Sequence, residues 1–305
     1  MARFKDSGVS EVVPSAAGPA EGREGTVVDR SIGSIIAETR HLSADQVERI
    51  LAHQRDKGLR FGEAAIALGF ASTDDVLFAL AQQFHYPYAP QVGSKLGAEL
   101  VALSQPFSEQ AEVFRGIRSQ LTMRLDGESE RNRRALAVVS PDSGDGKTFF
   151  SANLAVTLAQ LGGRTLLIDA DLRGPRLHEL FNVPNAAGLS SVLSGRSEAQ
   201  VIQPVAGVSS LFVLPAGPTP PNPLELVERP AFALLVREVL MKFDHVVVDT
   251  PAGVYGADCT VIAARCGAAL LLARKDQSQL DALQGLAALV KASAAQIAGV
   301  IVNEH

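Results

Sequence analysis

From Ser31 onward, apolar residues fall at helical spacing, and the pattern returns after 29 residues. SIGSIIAETRHLSADQVERILAHQ at 31–54 aligns with RFGEAAIALGFASTDDVLFALAQQ at 60–83. Ile32 pairs with Phe61, Gly33 with Gly62, Ile36 with Ala65, Leu42 with Ala71, Val47 with Val76, Leu51 with Leu80 and Gln54 with Gln83. Within each copy the 47/51 and 76/80 positions stand one helical turn apart. Each unit therefore predicts a short helix, a turn and a second helix, opened by Ser43 in the first copy and by Ser72 or Thr73 in the second. Residues 1–28 lack any period and mix Gly, Ser, Pro, Ala and charge, which predicts a disordered tail.

After Arg134 the period changes. Short apolar runs, ALAVVS (135–140), TLLIDA (165–170), LFVLP (211–215), HVVVDT (245–250), ALLLAR (269–274) and GVIVN (299–303), alternate with helical stretches. Strands that are apolar on both faces and separated by helices predict a parallel sheet covered on both sides. The expected organisation is a tail at 1–28, a small all-α tandem-repeat domain at 29–90, a linker at 91–106 and a doubly wound α/β domain at 107–305.

A length of 305 residues suits two such units. With 28 Lys+Arg against 33 Asp+Glu the chain is mildly acidic, a poor bulk binder of nucleic acid or anionic lipid. It has no Trp to build a base-stacking platform. Cys259 and Cys266, with six residues between them in an apolar stretch, lack zinc or redox spacing and suggest a reduced, cytoplasmic protein. No apolar run approaches the length of a membrane span. If the protein works at a membrane, something else must hold it there.

The first strand runs into SPDSGDGKT (140–148) and then a helical stretch, the context of a phosphate-binding loop. Ser143, Gly144, Asp145 and Gly146 would turn backbone N–H groups onto phosphates, aided by the helix N-terminus. Lys147 would reach the β and γ oxygens and the Thr148 hydroxyl would meet Mg²⁺. Pro141 stands where the strict G-x-x-x-x-G-K-[ST] pattern has its first Gly. The second strand ends in Asp169-Ala170-Asp171-Leu172-Arg173 and the fourth in Asp249-Thr250-Pro251, carboxylates at strand ends where open α/β sheets bind ligands.

This order of motifs resembles the P-loop NTPases with a deviant Walker A loop. Pro220-Pro221-Asn222-Pro223 and the E-x-x-R-x-x-R run at Glu112, Arg115 and Arg118 are similar to those of bacterial tyrosine kinases of polysaccharide synthesis and export. The resemblance implies transfer of the γ-phosphoryl of ATP to a tyrosine hydroxyl. Lys147, Asp169 and Asp171 would be catalytic, with Asp169 the candidate base, and Thr148, Asp171 and Asp249 would hold Mg²⁺. The division between Asp169 and Asp171 stays open. Asn303 sits where relatives contact adenine, although a buried Asn closing a strand reads equally well. Glu112, Arg115 and Arg118 share one side of a helix; without the resemblance they would be a solvated stripe, and with it they imply self-association into a homo-oligomer. A membrane-spanning polysaccharide chain-length or export protein is the implied partner, and it would hold this cytoplasmic chain peripherally at the inner face of the membrane.

Tyr86, Tyr88 and Tyr255 are the only tyrosines. The family's C-terminal tyrosine cluster is not in this sequence, so the acceptor stays open. A partition or positioning ATPase on the same fold would carry Lys where Asp142 stands, and a non-catalytic nucleotide switch would not need the full set of carboxylates.

The tandem repeat resembles the R-L-G-x-x-L-x-x-x-G-…-L-x-x-x-L-x-x-Q motif of the N-terminal domain of secretion and pilus ATPases, some of which bind cyclic di-GMP. Arg60, Gly62, Gly69 and Gln83 fit it, whereas Ser31 and Arg40 depart from it in the first copy. The resemblance implies a cyclic di-GMP effector site. On the residues alone, glycines that only pack two helical hairpins explain the pattern as well.

Overall fold

The computed structural model describes residues 31–83, 96–125, 133–196, 200–293 and 295–304. The expected tail at 1–28, Tyr86 and Tyr88 lie outside them.

The N-terminal repeat forms α1 (Ile32–Thr39), α2 (Ala44–Lys57), α3 (Phe61–Ala67) and α4 (Thr73–Gln83). Its two longer helices open on matching caps 29 positions apart in the alignment above. The backbone N–H of Ser43 donates to Gln46 Oε1 at 2.9 Å, and that of Ser72 to Asp75 Oδ2 at 2.7 Å, so Ser72 rather than Thr73 is the cap. Each serine hydroxyl accepts in return from the backbone N–H of its box partner. Ile35, Ile36, Ile50, Ala64, Ala65, Ala71 and Ala79 make the core. Arg40, the first copy's departure from the motif, ion-pairs with Asp75 of the second at 3.2 Å.

The second unit is a seven-stranded sheet in the order β3-β4-β2-β5-β1-β6-β7. Its strands are β1 (Ala135–Val139), β2 (Thr165–Asp169), β3 (Gln203–Pro204), β4 (Leu211–Leu214), β5 (His245–Asp249), β6 (Gly267–Arg274) and β7 (Gln296–Asn303). All neighbours pair in parallel except β3 with β4. The antiparallel β3 was not legible: two residues, one of them Pro, carry no strand period. The parallel runs are continuously apolar because successive residues feed opposite cores. Ala135, Ala137 and Val139 of β1 join a core with α9 (Leu189–Leu193), α10 (Pro223–Glu228), α11 (Pro230–Lys242), α12 (Asp258–Cys266) and α13 (Leu280–Ala292). Leu136 and Val138 face the other way, toward α5 (Val101–Ser104), α6 (Glu109–Leu125), α7 (Lys147–Ala159) and α8 (Leu177–Leu180).

The stretch expected as a linker at 91–106 is not a free tether over its described part. Leu100, Ala102 and Leu103 are buried in the α7-side core. The buried Asn153 of α7 accepts from the Ala102 N–H at 3.0 Å and donates to Glu99 O at 2.9 Å. A buried side-chain amide needs such partners, so the α/β unit extends N-terminally to at least residue 96.

Cys259 and Cys266 are buried on α12, and burial pushes the Cys259 thiol up to about 11. Neither is poised as a nucleophile. Among the described residues no helix is long and apolar enough to cross a membrane.

Candidate functional site

β1 lies between β5 and β6, where the chain passes from one half of the sheet to the other. Open sheets bind ligands outside the strand ends at such a point. The loop that follows β1 is tightly self-braced. Lys147, only 7% exposed, donates Nζ to Ser140 Oγ at 3.0 Å and lies 3.3 Å from Asp142 O. Asp145 accepts from the Asp142 N–H at 3.0 Å and from the Ser278 hydroxyl at 2.8 Å. Its carboxylate thus shapes the loop, leaving backbone amides for an anion. Gly144 and Gly146 take φ of +88° and +96°, and a Cβ on Gly146 would meet Asn303 Nδ2. Pro141 is not among the positive-φ positions, which is why the loop closes without the first Gly of the strict pattern.

Ser143, Gly144, Gly146, Lys147, Thr148, Asp171 and Asn303 line one pocket, together with Glu99, Gln110, Phe149, Gly174 and Arg176. Asn303 donates to Asp145 O at 3.0 Å, so it buttresses the loop from the end of β7. Asp171 Oδ1 accepts from the Arg173 and Gly174 N–H groups at 3.1 and 2.9 Å, folding the turn that follows β2.

Asp169 and Asp249 are buried rather than on the pocket wall, at 0% and 1% exposure. Asp169 Oδ2 accepts from the Leu177 N–H at 3.1 Å, and Asp249 Oδ1 from the Ser151 hydroxyl at 3.1 Å. Among the described residues Asp169 Oδ1 and Asp249 Oδ2 have no hydrogen-bond partner. Burial, reinforced by the Asp249 charge, holds Asp169 well above the ordinary carboxylate range. Burial also raises Asp249 to about 6, against the pull of the Thr148 hydroxyl and the Lys147 ammonium. Two buried carboxylates with open oxygens beside a threonine hydroxyl form a set of hard oxygen donors, and Mg²⁺ fits that chemistry.

Other residues of the site carried no signal in the sequence. Asp258, 2% exposed, takes Arg173 in a two-point ion pair, Nε to Oδ1 at 3.2 Å and Nη2 to Oδ2 at 3.1 Å. Ser278 accepts from the Arg274 N–H at 2.7 Å while it braces Asp145, and Arg274 Nη1 donates to Gly144 O at 3.2 Å. These partners come from loops distant in the chain.

The expected stripe on α6 is mostly spent within its own chain. Arg115 pairs with Glu112 at 2.7 Å and donates to Pro106 O at 2.7 Å, and Arg118 donates to Thr157 O at 2.9 Å. The remaining candidate residues lie in the N-terminal repeat. Gly62 is explained by packing, since a Cβ there would stand 2.8 Å from Val76 Cγ1. Arg60 is exposed at the start of α3, Gly69 has φ of +72° with open space around it, and Gln83 ends α4.

Residues 136–305 match the family described as the CobQ/CobB/MinD/ParA nucleotide binding domain. The chain is 35% identical over 170 residues to the tyrosine-protein kinase YwqD of Bacillus subtilis, covering 56% of this chain and 70% of that one. It is 31% identical over 206 residues to the tyrosine-protein kinase wzc of Salmonella typhimurium, covering 68% of this chain and 28% of that longer protein. The kinase domain of the Escherichia coli tyrosine kinase ETK superposes with a TM-score of 0.64 at 32% identity, over 69% of this chain and 81% of that one.

Proposed function

The chain belongs to the bacterial tyrosine-protein kinases built on the CobQ/CobB/MinD/ParA nucleotide-binding domain, and from that membership we propose how its residues divide the work of moving the γ-phosphoryl of ATP to a tyrosine hydroxyl. The observation that carries the proposal is the pair of open carboxylate oxygens on Asp169 and Asp249 beside the lysine-threonine start of α7. Lys147 and the 143–146 amides bind the phosphates, and Asn303 holds the loop edge next to the base. Thr148, Asp171 and Asp249 would hold Mg²⁺, which when bound neutralises charge on the transferring phosphoryl group. Asp169, whose surroundings raise its proton affinity, would take the tyrosine proton in its ionised form.

A second reading exchanges Asp171 for Asp169 as base, and the place of Asp171 on the pocket wall favours it. Asp169→Asn and Asp171→Asn separate the two: the base variant loses phosphoryl transfer far more than Mg-ATP affinity, and the metal variant loses both.

The wider role follows from the same proposal: control of exopolysaccharide chain length or export, at the inner face of the membrane, through a membrane-spanning partner. Self-association through α6 would draw on Glu112, Arg115 and Arg118, of which the Glu112 side chain is 70% exposed. Cyclic di-GMP at the repeat would be contacted by Arg60, Gly69 and Gln83, and titration of the full chain with it tests that part.

The deciding experiment is incubation of the full chain with labelled ATP and Mg²⁺, with phosphosite mapping on Tyr255, Tyr86, Tyr88 and any copurifying membrane protein. Phosphotyrosine that disappears in Lys147→Ala is the expected result. ATP hydrolysis stimulated by DNA or membranes, with no phosphotyrosine, would return the chain to the partition or positioning ATPases.

A further inference from the structure

Three arginines surround the nucleotide pocket, and they are committed very differently. Arg173 is locked on the buried Asp258 through two points. Arg274 donates to the backbone of the phosphate loop itself. Arg176 lies on the pocket wall and pairs with Glu99 at 2.7 Å, its side chain 51% exposed and that of Glu99 44% exposed.

Such a solvated pair contributes little net stability, because both groups keep much of their water and lose rotamer freedom by meeting. A polyphosphate offers the same guanidinium several anionic oxygens at once and the chance of two parallel N–H···O bonds. Lys147 and Arg176 are the cations among the described residues of that wall, and Lys147 is nearly buried and already oriented by Ser140. Glu99 cannot simply follow the arginine, because its backbone carbonyl is held by Asn153 on α7.

Resting on the kinase reading above, we propose that Arg176 is a second phosphate-binding cation of this site, and that Glu99 is its competitor, parking the guanidinium at the pocket mouth until a nucleoside triphosphate draws it away. Glu99 thereby sets the nucleotide affinity without touching the nucleotide. The two residues lie 77 positions apart and on opposite sides of the phosphate loop in sequence, so no local motif links them.

The test is a double-mutant cycle on the full chain, read as equilibrium binding of Mg-ATP with Lys147→Ala as the reference for loss of the site. Arg176→Ala is expected to weaken Mg-ATP by about tenfold or more, the scale of one lost charge-assisted contact. Glu99→Gln is expected to tighten it several-fold, and to have little effect once Arg176 is Ala, because the competitor then has nothing to hold. Binding within twofold of wild type in Arg176→Ala, alongside loss in Lys147→Ala, overturns the proposal and leaves the kinase site standing. An equal gain from Glu99→Gln with and without Arg176 also overturns it, since a carboxylate acting only through its field does not need the arginine. Unchanged binding in Lys147→Ala as well would mean that the nucleotide-site reading had failed first.

Discussion

Asp169 and Asp249 are direct partners across the parallel β2–β5 pair, at the last register position of that ladder. Each therefore ends its strand beside the other, buried, with one oxygen that finds no hydrogen-bond partner among the described residues. Like charges so placed oppose the fold unless a cation or a proton joins them.

Asp249→Asn should raise the thermal stability of the metal-free protein at neutral pH while abolishing Mg-ATP turnover. The folded protein holds the Asp249 proton to about pH 6, above the ordinary carboxylate value of ~4. Between those values the folded state binds more protons than the unfolded one, so stability falls as pH rises through that window. The gain from Asn should be on the order of 1–3 kcal/mol above pH 6 and should vanish near pH 4. Thermal melts with excess chelator across pH 4–8 measure it; a lower melting point for Asp249→Asn at pH 7 would contradict the argument.

Breaking the Arg173–Asp258 pair should slow turnover more than it weakens nucleotide binding. The pair ties the turn that carries Asp171 to the start of α12, and Asp258 is buried beneath it. Asp258→Asn keeps the shape but loses the charge, with an expected stability loss of ~1–3 kcal/mol and a kcat loss of about tenfold. Steady-state kinetics with a denaturant melt decide: a change confined to KM would detach this pair from the placement of Asp171.

In the N-terminal repeat, Gly62→Ala should loosen the helices by ~1–3 kcal/mol through overpacking against Val76. Gly33→Ala, whose Cβ would meet the Phe61 ring at an ordinary 3.4 Å, should be milder. Hydrogen exchange over 31–83 in the full chain, with Val76→Ala as the compensating change for Gly62→Ala, reads this out. Failure of the smaller partner to restore protection would mean that the glycine is needed for something other than room.

Ser278→Ala should raise the KM for ATP by roughly three- to tenfold, the scale of one hydrogen bond to a carboxylate. The hydroxyl joins Asp145 of the phosphate loop to the Arg274 backbone after β6. A fall in kcat at constant KM would instead assign the contact to the chemical step.

The expected strands, the Lys147-Thr148 loop and the strand-end aspartates were legible because parallel strands buried on both faces read as unbroken apolar runs, and phosphate loops need glycines at fixed offsets. The 29-residue repeat was legible through its matching apolar and capping positions, and the structure adds the capping boxes that explain them. Asp258, Ser278 and Glu99 were not, since each acts on a loop 77 or more positions away in the chain, and an isolated polar residue outside a period carries no address. The second unit begins earlier than the expected residue 107 for a related reason. LGAELVALS at 96–104 has the composition of a connector, and its burial becomes visible only once Asn153 is seen to hold it.

That amide has a practical bearing on where the polypeptide can be cut. A fragment starting at residue 107, as composition alone would suggest, would strip Asn153 of its bonds to Glu99 and Ala102 and uncover Leu100 and Leu103. Such a fragment would carry a raw apolar face beside α7 and aggregate during purification, even though every phosphate-loop residue were present. Starting before Leu96 retains the short helix that seals this face.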